Sequence, residues 1–386
     1  MDLRDTPDEE QFRSELRRWL KTNLPAGLRG VGGGATRPST EALRDWSRAL
    51  FDAGYAGLTW PKEYGGAGRG QSYQAIFLEE LACVEGPSHL NSVGLGMAGP
   101  TIIALGTEAQ KVRYLQPILA AEEIWCQGFS EPDAGSDLAA VRTAARLDGS
   151  HFVVDGQKTW ASAAHTSDWC ILLTRSDPTT TGHAGLTYLI VDMNSPGVEV
   201  RPLRQLTGDA EFSELFFTEV EVPVENVVGE VGGGWQVAMT TLLHERGTLG
   251  FALTAELTVT VQRLIELARD RGATPLQRDA IAREWVELQS LRHTAYRSLS
   301  TLAATGVPGP EASIAKLQWS EANQRVTKIA LELLGSDAQL LAENAPYGGY
   351  WQQLQLRSRA NTIEAGTTEI LRNIIAERVL GLPRSR

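Results

Sequence analysis

The stretch Gly232-Gly-Gly-Trp-Gln-Val-Ala-Met-Thr-Thr-Leu-Leu-His-Glu-Arg246 separates two kinds of text. Before it come short runs rich in β-branched and aromatic residues: His151-Phe-Val-Val-Asp155, Trp169-Cys-Ile-Leu-Leu-Thr174, Leu186-Thr-Tyr-Leu-Ile-Val191 and Glu214-Leu-Phe-Phe217. Gly, Pro and Asp clusters separate them, which is the signal of strands and turns. They predict an antiparallel β domain from about Ile124 to Val228. After the glycines the pattern turns helical and stays so. Long helices are predicted over about Trp235–Arg271, Arg278–Thr305, Pro310–Leu334 and Thr368–Leu380.

Toward the N-terminus, Pro7 to about Ala121 also reads as helices. Phe12, Leu16, Trp19 and Leu20 recur at helical spacing, with Asp8 the expected cap. A glycine-rich loop follows at Gly30 to Gly34. Further helices are predicted over Glu41–Ala53, Ser72–Cys83 and Glu108–Leu119. The fold class is therefore α+β and multidomain: an N-terminal helical domain (1–121), a middle antiparallel β domain (122–229) and a C-terminal four-helix bundle (230–386).

With 386 residues the chain exceeds one ordinary core, in keeping with three domains. A net charge of −11 argues against nucleic acid as the main partner, while a local arginine cluster could still hold a small anion. Cys83, Cys126 and Cys170 are few, odd in number and widely spaced. They point to a reducing cytoplasm, with no disulfide framework and no metal site. The acidic, amphipathic start does not read as a signal peptide. No apolar run approaches the ~20 residues of a membrane helix, so a soluble cytoplasmic protein is expected.

Two segments carry candidate chemistry. In Ser130-Glu-Pro-Asp-Ala-Gly-Ser-Asp137 the Pro and Gly set turns whose successive N–H groups can receive an anion or carbonyl; a plain surface turn is an equal reading. In Gly156-Gln-Lys-Thr-Trp-Ala-Ser162, residues i and i+2 of a strand share a face, so Trp160 and Ser162 would address one ligand. For a lone strand Trp, core packing is the commoner outcome.

Together these segments make a more specific pattern. The chain resembles the acyl-CoA dehydrogenase family over essentially its whole length. The resemblance is carried, in the family's order, by Trp60-Pro-Lys-Glu-Tyr-Gly-Gly66, Glu131-Pro-Asp-Ala-Gly-Ser-Asp137, Gly156-Gln-Lys-Thr-Trp160, Val222-Pro-Val-Glu-Asn-Val-Val-Gly229 and Ala365-Gly-Thr-Thr-Glu-Ile370. It implies FAD as cofactor. The flavin would be held by Gln127, Gly128, Phe129, Ser130, Gly135 and Ser136, by Trp160, Ala161 and Ser162, and by Gly366, Thr367 and Thr368. By the same resemblance Ser162 lies at N5, the hydride acceptor, Trp160 flanks the ring system, and Ser136, Leu242 and Arg246 contact the acyl-CoA. An electron-transfer flavoprotein is the implied electron acceptor and a tetramer the implied assembly.

Dehydrogenating a thioester requires a base for the α-proton. Many family members place a Glu directly before Gly-Thr in the C-terminal motif, where this chain has Ala365. Glu364 sits one step earlier, and one step along a backbone aims a side chain elsewhere. Isovaleryl-CoA dehydrogenase and some long-chain members carry the Glu on the first bundle helix, just before an Arg. That pattern falls on Glu245 and Arg246. A Glu-Arg pair is ordinarily an exposed feature of an amphipathic helix, but here one base position is empty and the alternative is filled. A water-exposed Glu is a weak base, with a pKa near ~4.3, and burial against flavin and acyl chain would raise it toward the working pH. The second expected carbonyl donor is the main-chain N–H of residue 365, which Ala365 still supplies.

Two motifs that serve a neighbouring subunit's FAD are altered. Arg-x-x-Phe-Gly becomes Arg271-Gly-Ala-Thr-Pro-Leu276, and Gln-x-x-Gly-Gly becomes Glu332-Leu-Leu-Gly-Ser336. A Glu repels pyrophosphate, and a side chain blocks close backbone approach. This asymmetry suggests a heterotetramer like the actinobacterial sterol side-chain dehydrogenases, as opposed to a homotetramer. A non-catalytic partner subunit and an acyl-CoA oxidase are the competing readings. Small residues in Asn91-Ser-Val-Gly-Leu-Gly-Met-Ala-Gly-Pro100 suggest either a wide acyl pocket or tight helix packing.

Overall fold

The computed structural model describes residues 4–30, 38–306, 309–310, 312–341 and 344–384, and of 245–249 the backbone only. Residues 31–34 of the expected glycine-rich loop therefore lie outside the described residues. The chain divides into two compact units, Thr40–Gly68 with His89–Glu245, and Met1–Ser39 with Arg69–Ser88 and Arg246–Arg386.

The unit containing Thr40–Gly68 and His89–Glu245 is built on a seven-stranded sheet. Its strands are β1 (Trp125–Gly128), β2 (Ala144–Asp148), β3 (His151–Ser162), β4 (Trp169–Arg175), β5 (Leu186–Asp192), β6 (Val198–Leu203) and β7 (Phe212–Pro223). The order is β1-β4-β2-β3-β7-β6, with β5 also pairing with β4. Pairing is antiparallel, except that β1 runs parallel to β4 and β2 meets β4 in one parallel pair. The four strong β runs of the sequence fall in β3, β4, β5 and β7. Along β4, Cys170 and Leu172 enter one apolar cluster while Ile171 and Leu173 enter another. Successive side chains point to opposite faces, so the middle of this sheet is buried on both sides and its strands read as continuous apolar runs.

One of those clusters includes residues of α4 (Gly99–Leu105) and α5 (Glu108–Leu119); α2 (Thr40–Asp52) belongs to the same unit. Before α4 the chain makes a π turn, Gly94–Ala98. The small residues there serve close packing: a Cβ on Gly99 would lie 2.1 Å from the Trp60 ring, and one on Gly94 would lie 2.4 Å from Asn91. Trp60 Nε1 also donates to Leu95 O at 3.2 Å. Only Gly96 of these three glycines faces open space.

The other unit is helical, with α1 (Pro7–Asn23), α3 (Gln71–Cys83), α7 (Pro275–Thr305), α8 (Ala312–Leu334), α9 (Tyr350–Ser358) and α10 (Thr368–Ile374). α6 (Gly234–Arg271) supplies its residues from 246 onward. The cap of α1 is Thr6, not Asp8. Thr6 Oγ1 accepts the Glu9 N–H and the Glu9 carboxylate accepts the Thr6 N–H, a reciprocal capping box that leaves Asp8 in the first turn. Leu257, Val261 and Leu264 of α6 pack with Leu288 and Leu291 of α7, Trp319 and Val326 of α8, and Trp351 of α9. α9 was not anticipated, and α10 ends at Ile374 before a π turn over Ile375–Val379.

Candidate active site

The flavin-type residues of the sheet unit sit where β1 ends and where β3 is interrupted. Gln127 and Gly128 close β1, Phe129 is buried, and Ser130 is half-buried. The Ser130 carbonyl accepts the Thr159 N–H at 2.9 Å, which ties this loop to β3. Gly135 and Ser136 are exposed at the far bend, and an added Cβ on Gly135 would meet nothing within 4 Å. After that bend, Arg175 fixes the returning chain by donating to Ala139 O at 2.8 Å and Val141 O at 3.1 Å.

Glu131 and Lys158, quoted as motif letters but not as site residues, are the polar centre of this arrangement. The Glu131 carboxylate accepts the N–H groups of Arg142 and Thr143 and the Lys158 ammonium, each at 2.8 Å. Lys158 is fully buried and also donates to Phe129 O at 3.0 Å. Burial pushes the Lys158 ammonium down to about 8, with the adjacent Glu131 carboxylate opposing the fall. Burial alone raises the Glu131 carboxyl, but Lys158 and Thr143 outweigh it and hold it below its ordinary value. The pair is ionised at neutral pH. A sequence signal existed: Phe152, Val154 and Lys158 share the buried parity of β3, so a lysine there requires a buried partner.

Continuing that parity would carry Trp160 into the core. It does not go there. Trp160 has φ +60°, the register with β7 shifts between Lys158 and Ala161, and the buried position passes to Ala161. One extra residue in a strand changes which face the following side chains occupy. Trp160 is accordingly 59% exposed, edge-on to Phe212 with ring centroids 6.0 Å apart, and Ser162 is half-buried. Both thus lie off the core face, by way of a bulge that residue types alone do not reveal.

In the helical unit, Ala365 is exposed with φ +49° and Gly366 follows with φ +95°. No acceptor for the Ala365 N–H occurs among the described residues. Thr367 caps α10 by accepting the Ile370 N–H, and Thr368 is buried with no partner for its Oγ1 among those residues. The loop is held from α8. Lys316, buried, donates to Asn361 O at 2.7 Å and Gly366 O at 2.8 Å, and Ser320 donates to Asn361 O at 2.8 Å. Glu364 takes both guanidinium nitrogens of Arg357, and Asn361 Nδ2 donates to it at 2.9 Å.

Glu256 of α6 is a further carboxyl in electrostatic reach of that pair. Its surface is open to solvent, yet protein walls it closely enough to push it up to about 7; Arg357 opposes the rise and Glu364 adds to it. Leu242 is half-buried against the apolar cluster of the sheet unit. Glu245 and Arg246 lie in α6, and their side chains fall outside the described residues.

These residues fit a flavin in each unit taken separately. The sheet unit offers an exposed indole beside interrupted strand backbone and a glycine bend free of side chains. The helical unit offers a buried hydroxyl, Thr368 Oγ1, that has no partner among the described residues. Among the described residues no cluster of His, Cys, Asp or Glu could hold a metal, and no helix is long and apolar enough to cross a membrane.

Three family profiles cover the chain in order: the acyl-CoA dehydrogenase N-terminal domain at residues 6–122, the middle domain at 126–220 and the C-terminal domain at 232–380. The chain belongs to the acyl-CoA dehydrogenase family. It is an oxidoreductase acting on the CH–CH bond of acyl-CoA, in a family of FAD flavoproteins. The acyl-CoA dehydrogenase IpdE1 of Mycobacterium tuberculosis is 42% identical over 386 residues, covering 98% of each chain. Among solved structures, the Tcur3481-Tcur3483 steroid acyl-CoA dehydrogenase is 33% identical with a TM-score of 0.90 over the full length of both chains. The ChsE4-ChsE5 complex from Mycobacterium tuberculosis is 30% identical with a TM-score of 0.87, again over both full lengths.

Proposed function

We propose that the chain converts an acyl-CoA thioester to its trans-2-enoyl-CoA with Glu245 as acceptor of the α-proton. The observation that carries this reading is the state of the C-terminal loop. Residue 365 is Ala, and the oxygens of Glu364 already accept from Arg357 and Asn361. Three donors hold this carboxylate in a fixed ion pair and compete with an incoming proton for its oxygens, which favours α6 as the source of the base. The Ala365 N–H donates to the thioester carbonyl, favouring the charge that develops there as the α-proton leaves. FAD, when bound, takes the β-hydrogen as hydride. Gln127, Gly128, Phe129, Ser130, Gly135, Ser136, Trp160, Ala161, Ser162, Gly366, Thr367 and Thr368 hold the flavin, and Ser136, Leu242 and Arg246 contact the acyl-CoA.

We further infer a heteromeric assembly in the cytoplasm, a bulky steroid-derived acyl group as substrate, and an electron-transfer flavoprotein as acceptor. The three-domain partition at 121/122 and 229/230 belongs to the same reading. Support for a heteromer comes from Arg271, which is committed to Asp337 at 2.9 Å, and from Glu332 and Ser336 in the altered second motif. Relatives include a complex of two different chains and a steroid enzyme by name.

The decisive test is anaerobic mixing of the purified flavoprotein with acyl-CoA thioesters from short-chain to steroid. The parent should bleach its flavin with a bulky thioester. Glu245→Gln should keep flavin yet slow the bleaching by at least ~10²-fold. A rate within tenfold of the parent would remove Glu245 from the role, and no bleaching with any thioester would favour a non-catalytic subunit. Rapid reoxidation by oxygen would indicate an oxidase. A homotetramer with one FAD per subunit, formed by the chain alone, would exclude the heteromer.

A further inference from the structure

Two motifs separated by some twenty residues meet through one buried ion pair, and the meeting determines how a loop backbone faces. Lys158 Nζ holds the Phe129 carbonyl at 3.0 Å, while Thr159 N–H holds the Ser130 carbonyl at 2.9 Å. A trans peptide is planar, with its C=O and N–H pointing oppositely. Turning the Phe129 C=O inward to Lys158 therefore turns the Ser130 N–H away from it. That N–H has no acceptor among the described residues. At the other end of the loop, Glu131 ties the N–H groups of Arg142 and Thr143, so residues 132–141 form a closed bend carrying the exposed Gly135 and Ser136.

We propose that Lys158 and Glu131 are positioning residues for the flavin: buried between the two cofactor motifs, they aim the Ser130 N–H and the 132–141 bend at the isoalloxazine ring. This rests on reading residues 127–136 and 160–162 as flavin-binding. An apolar side chain would fill the Lys158 slot as well as a lysine stem does. The ammonium adds the one thing an apolar group lacks, a donor reaching the Phe129 carbonyl and the Glu131 carboxylate together. Its charge is compensated by Glu131 and its protons by the Glu131 carboxylate and the Phe129 carbonyl, which offsets part of the desolvation cost of burying the pair. Lys158 is also two residues from the Trp160 bulge, and its anchored side chain fixes the strand immediately before the indole turns outward.

The test uses the full-length flavoprotein, stripped of FAD and titrated back with FAD, with the absorption spectrum and reduction potential of the rebound flavin recorded. Lys158→Met should stay folded by circular dichroism, raise the FAD dissociation constant at least tenfold and shift both spectrum and potential. A folded Lys158→Met protein that binds FAD within twofold of the parent, with unchanged spectrum and potential, would overturn the proposal. If Lys158→Met does not fold, Glu131→Gln decides by the same criteria, since it keeps volume and one acceptor while removing the charge. Ser162→Ala and Trp160→Ala are the parallel arm. Unchanged FAD affinity in both would show that the flavin-binding reading itself has failed, whatever the lysine does.

Discussion

Arg357 grips Glu364 by both carboxylate oxygens, Nη1 to Oε1 at 3.1 Å and Nη2 to Oε2 at 2.8 Å. Both partners are about one-third exposed, so the pair is worth no more than ~1 kcal/mol. Its importance is that it occupies the carboxylate closest in sequence to the position where many relatives carry their base. Glu364→Gln is expected to leave the rate of flavin bleaching within about tenfold of the parent. A loss matching that of Glu245→Gln in stopped-flow traces would return the base to the C-terminal loop.

Glu256 is exposed at the surface, yet desolvation by the protein around it and the Glu364 carboxylate push its carboxyl up to about 7, with Arg357 opposing the rise. As pH rises through 7 it becomes charged beside Glu364. Glu256→Gln should therefore remove an inflection near pH 7 from the activity profile while leaving the rate at pH 8 within about tenfold. Collapse of the rate at every pH would make Glu256 the base.

Lys316 clamps the loop that presents the Ala365 N–H, through the carbonyls of Asn361 and Gly366. Lys316→Met leaves both without its ammonium, at a cost of roughly 1–3 kcal/mol. The expected kinetic signature is a fall in kcat of about tenfold or more with KM little changed, because a displaced N–H weakens the developing oxyanion more than it weakens substrate binding. An unchanged kcat in a measurably destabilised protein would reduce the clamp to a structural role.

His89 is buried in the sheet unit, and burial lowers its imidazole to about 4. Its Nδ1 accepts the Asn91 N–H at 3.1 Å, a bond the protonated nitrogen cannot accept. As pH falls from 6.5, the unfolded chain takes this proton before the folded one does. The contribution of neutral His89 is thus full above pH 6.5 and is lost progressively down to pH 4, by about 3 kcal/mol. Denaturant unfolding at pH 7 and pH 4.5 should show a larger stability loss for the parent than for His89→Gln. Equal losses would mean that His89 titrates normally.

Gly99→Ala forces a Cβ to within 2.1 Å of the Trp60 ring, a rigid group that is itself tied to Leu95 O. Overpacking of this kind costs ~1–3 kcal/mol. Gly96→Ala, which meets nothing within 4 Å, should be tolerated, and the two midpoints of chemical unfolding measure the contrast. Equal midpoints would mean that Trp60 yields without cost.

What was legible in the sequence follows the range of the forces involved. The helix over Glu108–Leu119 was placed to the residue because its periodicity and its cap are local. The strands that were foreseen are those with apolar runs, whereas β6, with its half-buried and exposed Val198-Glu-Val-Arg201, carries no such run. The parallel pairing of β1 with β4 depends on residues some forty positions apart. The same holds for the site. Trp160 and Ser162 could be named, but nothing in their identities announces a positive φ at Trp160. Lys316, Arg357 and Lys158 acquire meaning only from carbonyls and carboxylates that the fold brings to them.

The extra residue at Trp160 also makes β3 sensitive to length in a way that it is not to chemistry. Many substitutions at 159 or 160 would preserve the alternation on either side. Removing one residue between Lys158 and Ala161 would instead restore a continuous two-residue rhythm from Phe152 to the strand's end. The core alternation would then run unbroken from Lys158 to Ala161, but the strand would lose the left-handed step at Trp160. An indole kept by deleting Thr159 would still lie on the outward face, but it would project from a regular strand position in a different direction. In this segment single-residue deletions should be the more damaging class of change, and an aligned set of sequences should show constant spacing here even where the letters vary.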